Sequence, residues 1–312
     1  MNSLRHYLSE NEDAILALLL CAIDREIGGI LLHGREETVN EAAVRYLADL
    51  LPPLIEKRCC HPRRGGFPGG GCQCNDGRHI AVKPRPLVIL PADLRAEDFI
   101  CNQAEATQVQ MCPDFCPNLI AAAHQGVLYV PKINHLETNL RQRILAAFHD
   151  RKVRVEWQGE VRYWPCSFLL VASIDSVASV LSPQELDCFG LYVNEIKQSP
   201  EVAESWRVNS QAHTSTMPWL GENPYELLSA AKELLSAVQV PAHIQERLGT
   251  FPGPEADKAK KLRNTLRKAA CSMAALRGEK IVSGEDVERT AKMVLPIMAL
   301  SKRSPSQMNT VV

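Results

Sequence analysis

The sequence predicts an α/β fold: a parallel five-stranded sheet flanked by helices, followed by a purely helical domain. Three observations predict it. Short uninterrupted apolar runs alternate with amphipathic stretches over residues 1–198. Those runs lack in–out alternation, as strands buried on both faces do. From residue 224 onward only helical periods remain. The expected divisions are 1–198 for the α/β domain, 199–222 for a Ser-, Thr-, Pro- and Gly-containing linker, 223–302 for the helical domain and 303–312 for a flexible tail.

The elements follow in order. Glu10 to Asp24 reads as a helix, with Ala14, Ala17, Leu18, Cys21 and Ala22 on one face. Gly28-Gly29 breaks it, and Ile30-Leu31-Leu32 is a buried strand ending at Gly34. Glu41 to Leu51 returns to the helical period until Pro52-Pro53 stops it. Residues 57–85 carry no apolar period; six glycines, four cysteines and two histidines mark an inserted loop. Leu87 to Leu90 is the second strand. Gly126 to Val130 is the third, after a helical stretch from Asn118 to His124. Leu136, Leu140, Ile144, Leu145 and Phe148 mark an amphipathic helix. Lys152 to Trp164 alternates across Gln158-Gly159 as a β-hairpin insertion. Phe168 to Ala172 and Gly190 to Val193 complete the five strands. Helices are expected over 224–238, 241–248, 256–277 and 284–297, with a Ser283-x-x-Asp286 box capping the last.

Composition narrows the function. The 312 residues are 46% hydrophobic and 23% charged with a net charge of −1. That balance argues against a nucleic-acid protein held by a general basic field. No run of 18 apolar residues suggests a membrane span. The start MNSLRHYLSENEDA lacks the basic-then-apolar pattern of an export signal, so a cytoplasmic location is expected. The eleven cysteines are then expected as thiols or metal ligands.

Several stretches resemble the ATPase module of magnesium chelatase, a branch of the AAA+ proteins. Ile27 to Gly34 followed by Ala43-Val44-Arg45 is similar to that family's phosphate-loop strand and helix. Ala121 to Val130 resembles the approach to the second nucleotide motif. Phe168 to Val171 looks like the sensor strand. Leu186 to Leu191 resembles the turn that carries an arginine finger. Ala274 to Gly278 through Asp286-Val287 is similar to the C-terminal helical lid. The resemblance spans nearly the whole chain outside residues 57–85.

It implies a nucleotide site whose chemistry this chain lacks. A phosphate loop needs glycines for close backbone approach, a lysine for the phosphates and a hydroxyl for Mg²⁺. Here only Gly34 remains of the glycines; the lysine position is Asn40 and the hydroxyl position Glu41. Glu36, Glu37 and Glu41 set negative charge against a polyphosphate, at roughly 1–4 kcal/mol per close like-charge pair. The second motif ends in Pro131-Lys132 where Asp and Glu are needed. The sensor asparagine aligns with Asp175 and the finger arginine with Cys188. The other trans arginine falls on Ser167, while Lys268 keeps the basic character of the lid arginine. Arginine fingers alone are worth roughly 10³–10⁵ in rate. ATP and Mg²⁺ are therefore not expected as cofactors. Lys132 facing Glu36 or Glu41 suggests an ion pair across the pocket; drift at both motifs is the alternative.

The cysteines divide. Cys59, Cys60, Cys72 and Cys74, with His61 and His79 nearby, could hold Zn²⁺ tetrahedrally and so order a loop that has no core. The alternative is a disordered, reduced loop. Cys101, Cys112 and Cys116 form a weaker cluster. Cys21, Cys166, Cys188 and Cys271 lie in apolar surroundings as core residues. On the hairpin, Arg154, Trp157, Arg162 and Trp164 are expected as a partner interface, unless Tyr163 and Trp164 pack on the sheet.

The resemblance is greatest to the degenerate N-terminal AAA+ domain of the chelatase D subunit. It implies a non-hydrolysing scaffold for an active AAA+ chelatase-type ATPase subunit in a hetero-oligomeric ring, with an integrin-like-domain protein as a further partner. The alternatives are an ATPase that still binds nucleotide near Gly34 and Lys268, and a zinc-stabilised scaffold outside tetrapyrrole metabolism.

Overall fold

The apolar runs become the interior of one sheet. The computed structural model describes residues 12–34, 37–57, 80–91, 94, 119–157, 160–175, 181–194, 224–250 and 256–301. In chain order these are α1 (Glu12–Ile23), β1 (Gly29–His33), α2 (Glu37–Leu50), β2 (Leu54–Lys57), β3 (Ile80–Lys83) and β4 (Leu87–Ile89). Then come α3 (Leu119–Ala122), β5 (Val127–Val130), α4 (Thr138–Asp150), β6 (Lys152–Trp157) and β7 (Glu160–Pro165). The α/β part closes with β8 (Leu169–Ile174), α5 (Pro183–Leu186) and β9 (Phe189–Asn194). Four helices follow: α6 (Pro224–Leu235), α7 (Ala242–Thr250), α8 (Ala256–Leu276) and α9 (Gly284–Ser301).

Five strands form a sheet in the order β4-β5-β8-β1-β9, every neighbouring pair parallel. This is the sheet expected from the five apolar runs. Successive residues point to opposite faces, and both faces are covered. Ile30, Leu32, Val127, Tyr129, Leu169 and Val171 pack in one core with α1 and α2. Leu31, Leu128, Val130, Leu170 and Ala172 pack in a second core with α4. The first core continues into the C-terminal helices through Leu228, Leu266, Ala270, Met273 and Val294. Further ties hold α8 down: Lys261 Nζ donates to Asp187 O at 2.8 Å, and Lys268 Nζ donates to Glu26 Oε2 at 2.8 Å.

Close approach fixes the sheet's start. A Cβ on Gly190 would stand 1.9 Å from Ile27 O, and one on Gly126 1.9 Å from Pro86 O. Only glycine lets those backbones pass. The capping box read at Ser283 forms: Asp286 Oδ2 accepts from Ser283 N at 2.8 Å, and Asp286 N donates to Ser283 Oγ at 3.3 Å.

Three expectations change. Helix α2 starts at Glu37, not Glu41, because its first turn is polar and shows no apolar period. The edges of the inserted loop are strands: β2 and β3 pair antiparallel from Leu54↔Lys83 to Lys57↔Ile80. The hairpin β6–β7 forms with Trp157↔Glu160 beside its turn, but its strand alternation puts Trp164 inward. Trp164 is 7% exposed in the second core, while Tyr163 is 57% exposed with Lys152 Nζ 5.0 Å over its ring. Trp164 is thus a packing residue, and Tyr163 is the aromatic the hairpin shows to solvent. The side chains of Arg154, Trp157 and Arg162 lie outside the described residues.

Of the four core cysteines, Cys21 and Cys166 are fully buried, and burial pushes both thiols up. Cys188 and Cys271 are partly buried. Cys59, Cys60, Cys72, Cys74, Cys101, Cys112 and Cys116 fall outside the described residues, as do the linker and the tail. Among the described residues, no helix is long and apolar enough to cross a membrane.

Candidate functional site

In a parallel sheet the loops that follow the strands converge at one edge, where open α/β sheets bind ligands. Gly34 follows β1, Pro131 and Lys132 follow β5, and Asp175 follows β8, so the fold brings these positions together. Glu36 lies outside the described residues.

Side chains of the chain bond to one another at this edge. Glu37, at the start of α2, accepts a hydrogen bond from the Tyr129 hydroxyl on Oε1. Its Oε2 accepts from Ser173 Oγ at 2.9 Å. Ser173 Oγ in turn accepts from Lys132 N at 2.8 Å. Burial first, then the Glu37 charge, pushes the Tyr129 hydroxyl far above its ordinary range, so it stays a donor. The sequence marks Glu37 only as one of three acidic residues and gives no signal for Tyr129 and Ser173, which lie 92 and 136 positions away.

The other motif positions have other partners. Asn40, in the lysine position, is fully buried and neither of its amide atoms has a hydrogen-bond partner. Glu41 pairs with Arg45 one turn along α2, Arg45 Nε donating at 2.8 Å. The expected Lys132–Glu41 pair is absent, because Arg45 is the nearer cation and Lys132 engages the network through its backbone, at φ 44°. Asp175 accepts from Asn134 Nδ2 at 2.9 Å and lies 2.8 Å from His135 Nε2. Burial alone would raise the Asp175 carboxyl, but bonds from Asn134 and His135 outweigh it and hold the group below its usual range. Lys268 is spent on Glu26, whose carboxyl that bond lowers.

The two trans-arginine positions share one cleft. Ser167 and Cys188 line a cavity of about 360 Å³ with Arg25, Phe148, Arg151 and Lys261. Cys188 O accepts from Gly29 N at 2.8 Å, tying the turn to the start of β1. The turn is braced by the buried pair of Arg141 and Glu185, with Glu185 Oε2 also accepting from Ser182 N at 2.7 Å. Among the described residues, no group of three or more His, Cys, Asp or Glu side chains could hold a metal ion. Among the described residues, Glu37, Tyr129, Ser173 and the Lys132 backbone therefore bond to one another across this edge.

Comparison with known proteins agrees with the motif order. No family model matches the chain. The chain is 30% identical over 300 residues to the magnesium-chelatase 38 kDa subunit of Rhodobacter capsulatus, covering 91% of this chain and 84% of that one. It is 27% identical over 314 residues to a magnesium-chelatase subunit ChlI homolog of Methanocaldococcus jannaschii, covering 94% and 84%. Among solved structures it resembles an ATPase-class protein from Cytophaga hutchinsonii, with a TM-score of 0.53 over 95% of this chain and 87% of that one. At 15% identity that likeness shows the fold alone. With its strand order, its phosphate-loop framework and this identity over nearly its full length, the chain belongs to the magnesium-chelatase subunit family, on an AAA+ ATPase-like fold.

Proposed function

We propose that this chain is a non-hydrolysing subunit of a magnesium-chelatase-type complex. It serves as an assembly and coupling scaffold for an active ATPase subunit. The observation that carries the reading is the Glu37 carboxylate, which occupies the sheet edge where a phosphate would need positive charge and backbone N–H groups. A phosphate there would meet this fixed negative group in a partly buried setting. The loss of Asp and Glu at Pro131 and Lys132, and of arginine at Ser167 and Cys188, supports the same reading. The framework around these losses is intact, as expected of a scaffold kept for its surfaces. Its role would parallel that of the D subunit's degenerate N-terminal AAA+ domain, with an integrin-like-domain protein as a further partner. When the chain is mixed with a hydrolysing magnesium-chelatase subunit, co-elution at stoichiometric ratio is expected on size exclusion. Separate elution across micromolar concentrations would count against the scaffold role.

We also infer a zinc site in the insertion. The β2–β3 register closes at Lys57↔Ile80, so the chain leaves and re-enters the ribbon side by side, with Cys59, Cys60 and His79 close in sequence to that end. Protein purified without chelator is expected to carry about one zinc per chain, with the metal lost on replacing Cys59 and Cys72 together by serine. A metal-free preparation after zinc-supplemented expression would overturn it.

A further inference from the structure

At the opposite edge of the sheet, where the strands begin, two guanidinium groups converge on one carbonyl. Arg85 precedes β4, Gln125 precedes β5, Ser167 precedes β8 and Arg25 precedes β1, so the parallel topology gathers them there. Arg85 Nη1 donates to Gln125 O at 2.6 Å, and Arg25 Nη2 donates to the same oxygen at 3.5 Å. Arg85 Nε donates to Pro52 O at 2.6 Å, and Arg25 Nη1 donates to Ser167 Oγ at 3.2 Å. Gln125 is held in a left-handed conformation at φ 62°, its N–H donating to Ser167 O at 2.6 Å. The arginines are thus fixed by neutral oxygens.

A third cation joins them from α6. Burial, then the charges of Arg85 and Arg25, push the Lys232 ammonium down to about 8. Arg25 is itself lowered by burial and by the charges of Arg85 and Arg151. His124 Nδ1 accepts from Ser167 N at 3.1 Å, and burial, then the Arg25 charge, push the ring below its ordinary range. Among the described residues, no carboxylate forms an ion pair with Arg25, Arg85 or Lys232, and Lys232 makes no hydrogen bond. Like charges gathered in a partly buried place repel, so an anion bound among them would relieve that repulsion.

We infer that this edge is a binding site for a phosphate-class oxyanion, held by Arg25, Arg85 and Lys232. Two guanidinium forks and an ammonium match the several oxygens of such a group better than they match a halide. The site is distinct from the candidate nucleotide pocket, which lies at the other end of the strands, and it stands whether or not the scaffold reading holds.

The test uses inorganic pyrophosphate without Mg²⁺ on the full chain, against sodium chloride at matched ionic strength. Calorimetry on the wild type is expected to show saturable binding, with a thermal midpoint raised by about 4 °C or more at saturation. Lys232→Met removes a cation that makes no hydrogen bond among the described residues. Its unliganded midpoint is expected to equal or exceed the wild type's, and its pyrophosphate affinity to fall about tenfold or more. Arg85→Gln is expected to weaken binding at least as much. No binding beyond the chloride control would overturn the site. Equal affinity in wild type and Lys232→Met would place pyrophosphate elsewhere, the nucleotide pocket included, and would overturn it too.

Discussion

Glu185→Ala is expected to lower the unfolding free energy by about 3–5 kcal/mol, the usual cost of breaking a buried ion pair from one side. Glu185 and Arg141 have side chains only 7% and 14% exposed. Removing the carboxylate leaves the Arg141 guanidinium with Leu136 O, 3.3 Å away, as its remaining hydrogen-bond acceptor. The capping box of α5 is lost with it, since Glu185 Oε2 holds Ser182 N. That helix carries the turn through Cys188, whose N–H donates to Glu185 O at 3.2 Å and whose carbonyl receives Gly29 N. Chemical denaturation measures the loss. Replacing both partners together by Met and Leu is expected to recover most of it. Acid acts at the same place. Burial opposes ionisation of Glu185, but bonds from Arg141 and Ser182 prevail and depress its carboxyl. A depressed carboxylate contributes stability that is fully present above its unfolded value of about 4.3 and is lost as pH falls through the lower folded value. Wild-type stability should therefore decline with acid below about pH 4.3. Glu185→Gln, with nothing there to protonate, should decline less steeply.

Glu37→Ala is expected to destabilise by about 2–3 kcal/mol, the scale of losing hydrogen bonds to a charged acceptor. Tyr129 is fully buried and would keep its hydroxyl without this acceptor. Ser173 would lose the bond that joins it to α2. The sign of the effect separates two accounts. If the edge were built for phosphate, removing a negative group would relieve repulsion, and Mg-ATP would raise the midpoint of the variant. If the carboxylate is the structural occupant of the edge, the variant melts lower and Mg-ATP does not rescue it. Tyr129→Phe should reproduce part of the loss through the same bond.

Much of the framework was legible in the chain. Buried strands read as unbroken apolar runs, and the hairpin's alternation and the Ser283 box are each written in a few adjacent residues. Asn40, Pro131 and Cys188 stand at fixed distances along those elements, and their reading as lost motif positions belongs to the proposal. The contacts around them were not legible. Glu37, Tyr129 and Ser173 meet only because three strands and a helix end at one edge. Arg25, Arg85 and Lys232 lie on separate elements, so no charge run marks them. The start of α2 was missed because Glu37-Thr38 carries polar residues into a helix whose apolar face begins later. The β2–β3 ribbon was missed because its strands are only four residues each. The choice between interface and packing stays open for Trp164 in the sequence, because hairpin alternation assigns a face only once the register is known.

On the proposed reading, this family member keeps the ATPase framework while its own side chains hold the phosphate edge closed to nucleotide. Calorimetric titration of Mg-ATP into the full chain tests it most directly, run in parallel on Lys232→Met to silence the opposite edge. The expected result is no nucleotide binding tighter than about 10 µM in either protein, and no phosphate release above buffer. Saturable Mg-ATP binding tighter than about 10 µM in Lys232→Met, lost on disturbing Gly34 or Asn40, would contradict it.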